Sequence, residues 1–453
     1  MVLGTQTVHN TKKIPPHPNP PPGVPGGGDK RFVSKPVWSQ IVLVVAVMLA
    51  TASAALLAYG TDAYWGQFHR GLGLIVFTHR LQWVLATFSL VLCLVVVALI
   101  VGGRRRVWWL IALGPIMALF VHRFISSPMR EYAIVENPLC VTADLAPALR
   151  DTDYVVGVQF GDQPYAYPFA ALFTSPVVIQ SNHENRFMLI WSAFANRALA
   201  FKIKSDIKLG ELQIVSMPAN SILLYNGRIG QFINGVTGET TAHEKPAGFA
   251  SSVRTHKITW RQWKKLHPNT QVFLPPGGRI ERAAPLQPKY AMAREKGSSP
   301  TTHPVESQII FVPTTRPIAI PVEAVSGDPA NISDGPVHLL LFRDRDTGQL
   351  KAFDRHVKDD LVPMFRSKSD PKRPAVVWED QDSGTEWSAE GKGIEGLFKG
   401  EQLRPMAVED SLYWAVMSHW YPDLQWAIPR LVSNKAGNFK NPGETKRRGG
   451  KAK

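Results

Sequence analysis

Three apolar segments near the N-terminus constrain this chain more than any other feature, because long apolar runs belong in a lipid bilayer. They are Val37 to Tyr59, Leu81 to Gly103, and the shorter Val107 to Phe124, which contains Gly114-Pro115. A helix rises about 1.5 Å per residue, so about 20 residues cross roughly 30 Å of hydrocarbon. Tryptophans lie near the segment ends, as interfacial anchors should, at Trp38, Trp83, Trp108 and Trp109. The sequence therefore predicts three transmembrane helices within residues 37–126.

The positive charges around these segments predict the orientation of the chain. One cluster precedes the first segment and a second separates the last two, comprising Lys30, Arg31, Lys35 and Arg104-Arg105-Arg106. If all three segments span, both clusters lie on the side that the positive-inside rule assigns to the cytoplasm. We therefore expect a multi-pass protein of the cytoplasmic (inner) membrane, with its C-terminal region outside the cytoplasm. The alternative is a signal peptide cleaved near Ala52-Ser53-Ala54, which the long preceding tail disfavours.

Charge and cysteine content exclude several classes of protein. The chain has 453 residues and a formal net charge of +15, part of it in the tails and beside the apolar segments. Because no basic stripe is interleaved with stacking aromatics, nucleic acid is not an expected partner. Cys93 and Cys140, the only two cysteines, lie in an apolar run and a polar segment, so we expect no disulfide framework or cysteine-based zinc site. Residues 1–36 (Pro-rich) and 433–453 (basic) are predicted to be disordered tails.

A repeated pattern organises the region after the apolar segments. Tyr154 to Phe160 and Pro164 to Pro168 are predicted to form a hairpin joined at Gly161-Asp162. Its second strand, Pro164 to Pro168, has the spacing Pro-x-Ala-x-Pro, and Pro317 to Pro321 has it again. The apolar strand Phe187 to Trp191 is likewise echoed by His338 to Phe342. The predicted fold class is therefore mainly β (α+β), in two related units at residues 127–274 and 307–432. Residues 275–306, rich in Pro, Gly, Ser and Lys, are expected to link them.

Each unit is predicted to end with an amphipathic helix that contains tryptophan. In the first, Thr259 can cap a helix within Ile258 to His267, and Pro268 ends it. Glu409 to Trp420 is the predicted counterpart in the second unit, since Trp414 precedes Pro422 as Trp260 precedes Pro268.

Residues 151 to about 273 resemble the bacterial and archaeal family known as domain of unknown function 3179. The matching features are Asp153 to Val158, Ala166-Tyr167-Pro168, Ala198 to Phe201, Tyr225, Gly230, Thr237 to Thr240 and Trp260 to Thr270. The second unit keeps Arg343 to Gly348 and Ala352 to Arg355 and also resembles a member. The resemblance thus covers roughly two thirds of the chain and none of the membrane part.

The resemblance also implies that this chain is a degenerate member. The family carries a Cys-Pro-x-Cys-Gly run and a His-Glu pair, groups suited to metal binding or redox chemistry. Here the run aligns with Ser192 to Asn196 and the pair with Ser175-Pro176, so thiolate and imidazole are lost. The family has no settled activity, and the resemblance therefore implies little about mechanism.

One set of polar residues in the first unit is the candidate pocket. Ser192 could be a nucleophile, although no Gly-x-Ser-x-Gly elbow or evident base accompanies it. Asn196 and Arg197, at a strand-to-strand junction, could hold a carboxylate or phosphate or form a surface turn. An enzyme would need these residues to converge with the rest of the set, which is Ser192, Asn196, Arg197, Asn220, Tyr225 and Glu239.

The remaining candidates are histidines and aspartates. His69, His79 and His122 could ligate a b-type haem if they met, or could be interfacial polar residues. The pairs His183-Glu184 and His243-Glu244 match no zinc spacing, and Asp344 to Gly348 suits a hairpin turn better than a calcium loop. We therefore expect no metal site and no cofactor.

Three functional hypotheses follow from these patterns. The first is a non-catalytic binding or scaffold protein of the cell envelope, whose partners would be the lipid bilayer and envelope proteins or polymers. The second is an envelope enzyme, redox or hydrolytic, that uses the candidate pocket. The third is a haem-binding membrane protein.

Overall fold

The structure of this protein is a computed structural model. It describes residues 35–68, 70–102, 107–146, 149–182, 185–204, 211–278, 303–304, 307–325, 328–344, 347–368, 373 and 375–428. The basic tail, nearly all of the Pro-rich tail and most of the linker lie outside these residues. So do the cationic cluster at 104–106, His69, the pair His183-Glu184 and Asp346.

The N-terminal part of the described chain is helical. Its elements are α1 Lys35–Tyr59, a 3-10 helix at Ala63–Gln67, α2 Gly71–Arg80, α3 Gln82–Gly102, a 3-10 helix at Val107–Ala112, α4 Leu113–Ile125 and a 3-10 helix at Pro128–Arg130. In this part of the chain, two helices are long and apolar enough to cross a membrane, over Trp38–Tyr59 and Gln82–Gly102.

The third apolar segment does not form a helix of membrane length, so that prediction was wrong. The α-helix covers only the 13 residues Leu113–Ile125, after a separate 3-10 helix. Pro115 lies in the first turn of α4, where a proline's missing N–H leaves no hydrogen bond unmade. A proline in the interior of a helix removes a backbone hydrogen bond. Pro115 therefore favours a new helix that begins near this position over a longer helix that continues through it.

The three longest helices of this part form a bundle with an apolar exterior. Ser89 Oγ of α3 donates to the Ala50 carbonyl of α1 at 3.0 Å, and Ser53 Oγ donates to the Leu85 carbonyl at 3.0 Å. Small residues at such contacts let helix backbones approach closely. Ile116 of α4 packs against α1. The outward surface is unusually apolar for a water-exposed bundle, with exposed residues that include Trp83, Val84, Leu94, Met117 and Phe124.

The chain then forms three sheets, here called the N-terminal sheets. Their strands are β1 Ile134–Glu136, β2 Cys140–Thr142, β3 Tyr154–Phe160, β4 Gln163–Pro168, β5 Val177–Asn182, β6 Asn185–Ser192, β7 Arg197–Ile203, β8 Leu212–Ser216, β9 Leu223–Asn226, β10 Gln231–Asn234, β11 Phe249–Val253, β12 Thr255–Thr259 and β13 Gln271–Phe273, with helices α5 Phe169–Leu172 and α6 Trp260–Leu266. The strand orders are β12-β3-β4-β13-β2, β1-β5-β6-β7-β11 and β10-β9-β8.

Three further sheets follow, here called the C-terminal sheets. Their strands are β14 Gln308–Val312, β15 Ile318–Pro321, β16 Ala330–Asp334, β17 Val337–Arg343, β18 Leu350–Asp354, β19 Phe365–Ser367, β20 Trp378–Asp380, β21 Glu386–Trp387, β22 Gly393–Glu395, β23 Glu409–Tyr413 and β24 Gln425–Trp426, with α7 Trp414–Trp420 between the last two. The strand orders are β23-β14-β15-β24, β16-β17-β18 and β19-β20-β21-β22.

The two sets of sheets share one connectivity. In each, a hairpin is followed by a three-stranded meander, and a later strand returns to pair antiparallel with the first strand of the hairpin. A seven-residue helix comes next, α6 or α7, and the strand after it pairs parallel with the second hairpin strand. The layers also correspond, because the meander packs between the hairpin sheet and a further sheet in each set.

Burial of the meander on both faces explains the continuous apolar runs in the sequence. Phe187 and Leu189 of β6 contact the hairpin sheet, while Met188 and Ile190 contact the sheet on the other side. Each of these four side chains is fully buried. A strand covered on both faces has no polar alternation, so it reads as an uninterrupted apolar segment.

The predicted hairpin and the first predicted helix are confirmed. Gly161 has φ +61°, which suits the first position of a two-residue turn between β3 and β4. Thr259 and Gln262 form a capping box at the start of α6. Trp263 of α6 lies against Gly157, where an added Cβ would be 2.3 Å from the indole ring. The absence of a side chain at Gly157 thus lets this helix approach the strand.

The second predicted helix begins later than expected, because Glu409–Tyr413 is strand β23 and only Trp414–Trp420 is helical. The helical spacing of apolar residues was therefore misread over the first five positions. Pairing of β23 with β14 decides the structure there, and local sequence cannot report a strand partner so far away.

Candidate functional site

Arg197 connects the two sets of sheets. This side chain at the start of β7 is 4% exposed, and it forms two hydrogen bonds with Glu409 of β23, from Nε to Oε2 at 2.7 Å and from Nη2 to Oε1 at 2.5 Å. Its Nη1 donates to the Tyr421 hydroxyl at 2.7 Å. Burial lowers the pKa of Arg197, but the Glu409 carboxylate and the Tyr421 hydroxyl outweigh burial and raise the pKa above its usual value.

The backbone around Arg197 is shaped for this contact. Asn196 has the left-handed conformation, φ 51° and ψ 36°, which asparagine tolerates better than most residues. Its Nδ2 donates to the carbonyl of Ser411 at 2.7 Å. Ala195 and Val236 share an apolar cluster with residues of β14 and α7. The turn between β6 and β7 therefore lies inside the contact between the two sets of sheets.

A β-bulge in β23 presents two carboxylates at this contact. Ile309 pairs with Leu412 and Phe311 with Glu409, so Asp410 and Ser411 together oppose a single residue of β14. Ser411 has φ 56°, a strained value for serine. Asp410 accepts two hydrogen bonds from Arg343, at 2.7 and 3.0 Å. Bulges often redirect side chains at functional sites, and this one places adjacent acidic residues where arginines pair with both.

A cleft of about 380 Å³ opens beside these ion pairs. Its walls come from β12 and α6 on one side and from β23 and the end of the β17–β18 hairpin on the other. A Cβ on Gly348 of that hairpin would lie 2.2 Å from Gln262 Nε2 of α6, so the two walls are in contact at one end. The polar lining includes Arg254, Thr255, His256, Lys257, Thr259, Gln262, Gln308, Arg343, Gln349, Glu409, Asp410 and Ser411. Small-ligand pockets start at roughly 300 Å³, so the cleft has the size of a metabolite site.

One lysine, Lys257, belongs to the described lining of the cleft. Its Nζ donates to the Asn196 carbonyl at 2.5 Å, and it has no ion-pair partner among the described residues. Burial lowers the pKa of Lys257 to about 8, against the opposing effect of the Asp410 and Glu409 carboxylates, and the Arg197 charge lowers it further. The pKa of this ammonium group is therefore close enough to neutral pH that a moderate rise in pH removes its proton.

His256 contributes little positive charge to the cleft. Burial lowers its pKa to about 4, and the charges of Arg254 and His267 lower it further. Its ring lies 6.1 Å from that of Trp263, which in turn contacts the His267 ring at 4.1 Å. The imidazole is accordingly neutral near pH 7.

The charges around the cleft do not balance. The two carboxylates, Glu409 and Asp410, are each held by an arginine, Arg197 and Arg343. Two further cations, those of Lys257 and Arg254, line the cleft without an ion pair in the described parts of the chain. The surplus is positive, so the arrangement suits a small anion whose carboxylate or phosphate oxygens accept hydrogen bonds from lysine and arginine.

The six candidate residues named from the sequence do not share one cavity. Ser192 and Asn220 line a small apolar cavity of about 30 Å³ that is separate from the cleft. Ser192 Oγ accepts a hydrogen bond from the Ile222 backbone N–H at 3.3 Å, and no histidine or carboxylate in the described chain is hydrogen-bonded to it. Asn196 and Arg197 instead contact the C-terminal sheets, and the carboxylate that Arg197 holds belongs to this same chain.

The other candidates lie elsewhere. Tyr225 packs against Phe232 with the rings tilted by 42° and their centroids 4.7 Å apart, and it faces α2. Glu239 is partly exposed and forms an ion pair with His243 at 3.5 Å. His79 of α2 packs against the rings of Tyr225 and Phe232.

The histidine ligands of the haem hypothesis have separate surroundings. The His122 ring lies 4.8 Å from the ring of Tyr59 at the ends of α1 and α4. His79, in contrast, is buried beneath the third N-terminal sheet, and His69 lies outside the described residues. No group of three or more potential metal ligands occurs in the portion of the chain that the structure describes.

Sequence reasoning missed most residues of the cleft. Lys257 belongs to a strand that was not predicted, Arg254 immediately precedes that strand, and Glu409 and Asp410 were assigned to an amphipathic helix. A local signal was available only at Arg197, where the strand-to-strand junction suggested carboxylate binding. The others are brought together by strand pairing between distant segments, which residue spacing does not encode.

Comparison with known proteins gives one family match. A family model described as "Protein of unknown function (DUF3179)" matches residues 133–424 in a single stretch, which includes the cleft and every described strand of both sets of sheets except β24. The four N-terminal helices lie outside the match. No curated protein and no solved structure matches the chain.

Proposed function

This chain belongs to the DUF3179 family of proteins of unknown function, and from that premise we propose that it is a membrane-anchored binding protein for a small organic anion. The observation that carries the proposal is the cleft between the two sets of sheets, where the described lining and Arg197 together supply four cations, including Lys257 and Arg254, against the two carboxylates of Glu409 and Asp410. Seven polar side chains of the described lining, including neutral His256, are neutral donors or acceptors that can fix a ligand's orientation. A binding role is preferred to a catalytic one because both carboxylates of the described lining are held by arginines, Glu409 by Arg197 and Asp410 by Arg343, which disfavours either as a general base.

The anchor in this proposal is the helical bundle. The two helices of membrane length support it, as does the bundle's exposed apolar surface. Helix α4 packs along α1, and the two helices end near each other at Ile125 and Tyr59. This packing supports a multi-pass arrangement in which the β sheets lie at that end of the bundle. In the sequence, one cationic cluster precedes α1 and the other follows α3, and for this arrangement the positive-inside rule favours sheets outside the cytoplasm, held at an inner membrane.

The proposal includes an origin for the cleft. We infer that the two sets of sheets descend from one duplicated unit, and the shared connectivity supports this inference. In that history the cleft arose at the junction of the two copies. Such a junction can bind ligand with residues from either copy, as ligand sites between domains often do.

The test is anion binding by the purified full-length protein in detergent. Calorimetric titration with citrate and with inorganic phosphate as probes should show saturable binding, and choline should show none. Lys257→Gln should weaken binding at least tenfold, since hydrogen bonds to charged groups are worth about 1.5–3 kcal/mol. The matched control is Lys265→Gln, an exposed lysine on α6 outside the cleft. Absence of binding to either anion, or equal losses in both variants, would refute the proposal.

A further inference from the structure

A second cavity lies where the helical bundle meets the β sheets. It has a volume of about 180 Å³. Ala58 near the end of α1 and His122, Arg123 and Ser126 at the end of α4 form one side. Phe194, Ser216 and Met217 of the N-terminal sheets form the other. The cavity is therefore at the depth where the helices would leave the bilayer, which is the depth of lipid headgroups.

Three charged side chains line this cavity without pairing. Arg123, Asp62 and Glu131 all belong to the lining. None of them forms an ion pair within the described chain, although opposite charges share the cavity. Asp62 accepts a hydrogen bond from the Tyr64 backbone N–H at 2.8 Å, which orients its carboxylate. The described lining thus contains one guanidinium and two carboxylates, and no ion pair joins them.

We propose that this cavity binds the zwitterionic headgroup of a phospholipid that carries a free amine. The phosphate accepts hydrogen bonds from the Arg123 guanidinium and the Ser126 hydroxyl, and the ammonium group donates to Glu131 and Asp62. A volume of about 180 Å³ suits a headgroup better than a whole ligand, since ligand pockets usually exceed roughly 300 Å³. The acyl chains then lie along the exposed apolar surface of the bundle.

The charges of the cavity favour this headgroup over an anionic one. An anionic headgroup such as that of phosphatidylglycerol satisfies Arg123 but leaves both carboxylates without a cation. A zwitterion satisfies both signs together. Neighbouring side chains also suit an interfacial depth, because Arg130 lies over the Phe124 ring at 4.7 Å and Tyr59 contacts His122.

The inference rests on the membrane anchor of the proposed function, so the experiment tests the anchor and the headgroup site in separate steps. Membrane fractions of expressing cells are first extracted with carbonate, and loss of the full-length protein into the soluble fraction would refute the anchor itself. If the protein stays in the membrane, the delipidated protein in a neutral detergent is titrated with short-chain phosphatidylethanolamine, short-chain phosphatidylglycerol and inorganic phosphate. Binding is followed by tryptophan fluorescence.

We expect phosphatidylethanolamine to bind at least tenfold more tightly than phosphatidylglycerol or phosphate. Arg123→Gln should weaken that binding at least tenfold, whereas Arg130→Gln, a neighbouring arginine outside the cavity, should not. Glu131→Gln changes an exposed side chain, and it should reduce the preference for phosphatidylethanolamine several-fold. Equal affinity for both lipids in the wild type, binding of free phosphate as tightly as lipid, or an unchanged preference in Glu131→Gln would each overturn the proposal.

Discussion

Arg197 and Glu409, which are 212 residues apart in the chain, form a two-point ion pair at the contact between the N-terminal and C-terminal sheets. The guanidinium is almost completely buried, while the carboxylate is one quarter exposed toward the cleft. An arginine in such a position depends on its partner, since an unpaired buried charge is strongly unfavourable. The contact between the two sets of sheets is therefore specific as well as apolar.

Removal of the carboxylate should destabilise the protein strongly. Glu409→Gln leaves Arg197 buried with only neutral acceptors, which costs about 3–5 kcal/mol. The melting temperature of the detergent-purified protein should fall by on the order of 10 °C. Asp151→Asn is the matched control, because it breaks the exposed ion pair with Arg261 and should cost no more than about 1 kcal/mol. Similar losses in the two variants would show that Arg197 does not need its partner.

A methyl group at Gly157 should disrupt the packing of α6. In Gly157→Ala the Cβ would lie 2.3 Å from the Trp263 ring, which is fully buried and held by a hydrogen bond from Nε1 to Thr270 Oγ1 at 2.9 Å. Overpacking of this kind costs about 1–3 kcal/mol. Gly227→Ala, where the nearest atom is 3.5 Å away, should change the melting temperature little. A Gly157→Ala variant as stable as the wild type would mean that the helix can shift freely.

Acid should weaken the attachment of α2 to the third N-terminal sheet. Burial lowers the pKa of His79, which lies outside the helices of membrane length, to about 4, and the Arg123 charge lowers it further. Because the unfolded histidine has the higher pKa, it binds the proton first. The stabilisation is complete above about pH 6.5 and is lost as the pH falls toward 4, by about 3 kcal/mol in all.

The variant His79→Phe isolates this effect. Phenylalanine can keep the ring contacts with Tyr225 and Phe232 but cannot be protonated. Melting temperatures measured from pH 7.5 to pH 4.5 should therefore fall less steeply in the variant than in the wild type. His256 titrates equally in both proteins, so it cancels from the comparison. Parallel curves would exclude His79 as the cause.

Anion binding in the cleft should be lost in alkali. The pKa of Lys257 is lowered to about 8 by burial, so its ammonium is deprotonated as the pH rises through that value. Citrate affinity should fall by up to about tenfold per pH unit above pH 8, if neutral lysine binds the anion weakly. In Lys257→Arg the side chain stays charged, and affinity measured by calorimetry should be nearly constant to pH 9.5. A wild-type affinity that does not change between pH 7.5 and 9.5 would rule out Lys257 as a ligand contact.

Local patterns predicted the elements of this fold better than their assembly. The β3–β4 hairpin and α6 were predicted because a turn glycine and a capping box act within a few residues. The meander strand β6 was predicted because its burial makes it uniformly apolar. The helix at 409–420 was misplaced because β23 exists only through pairing with β14. Lys257 and Glu409 were missed as site residues for the same reason, since their proximity depends on tertiary contacts.

The position of Arg197 in the chain has a consequence for synthesis of the protein. Glu409 is 212 residues farther along, and ribosomes add roughly 5–20 residues per second, so Arg197 waits about 10–40 s for its partner. During that interval the N-terminal sheets can fold, but the turn at Asn196 and the apolar surface around Ala195 have nothing to cover them. A truncated chain that ends before β23 should consequently expose a charged and an apolar surface side by side, which makes it a substrate for chaperones or proteases.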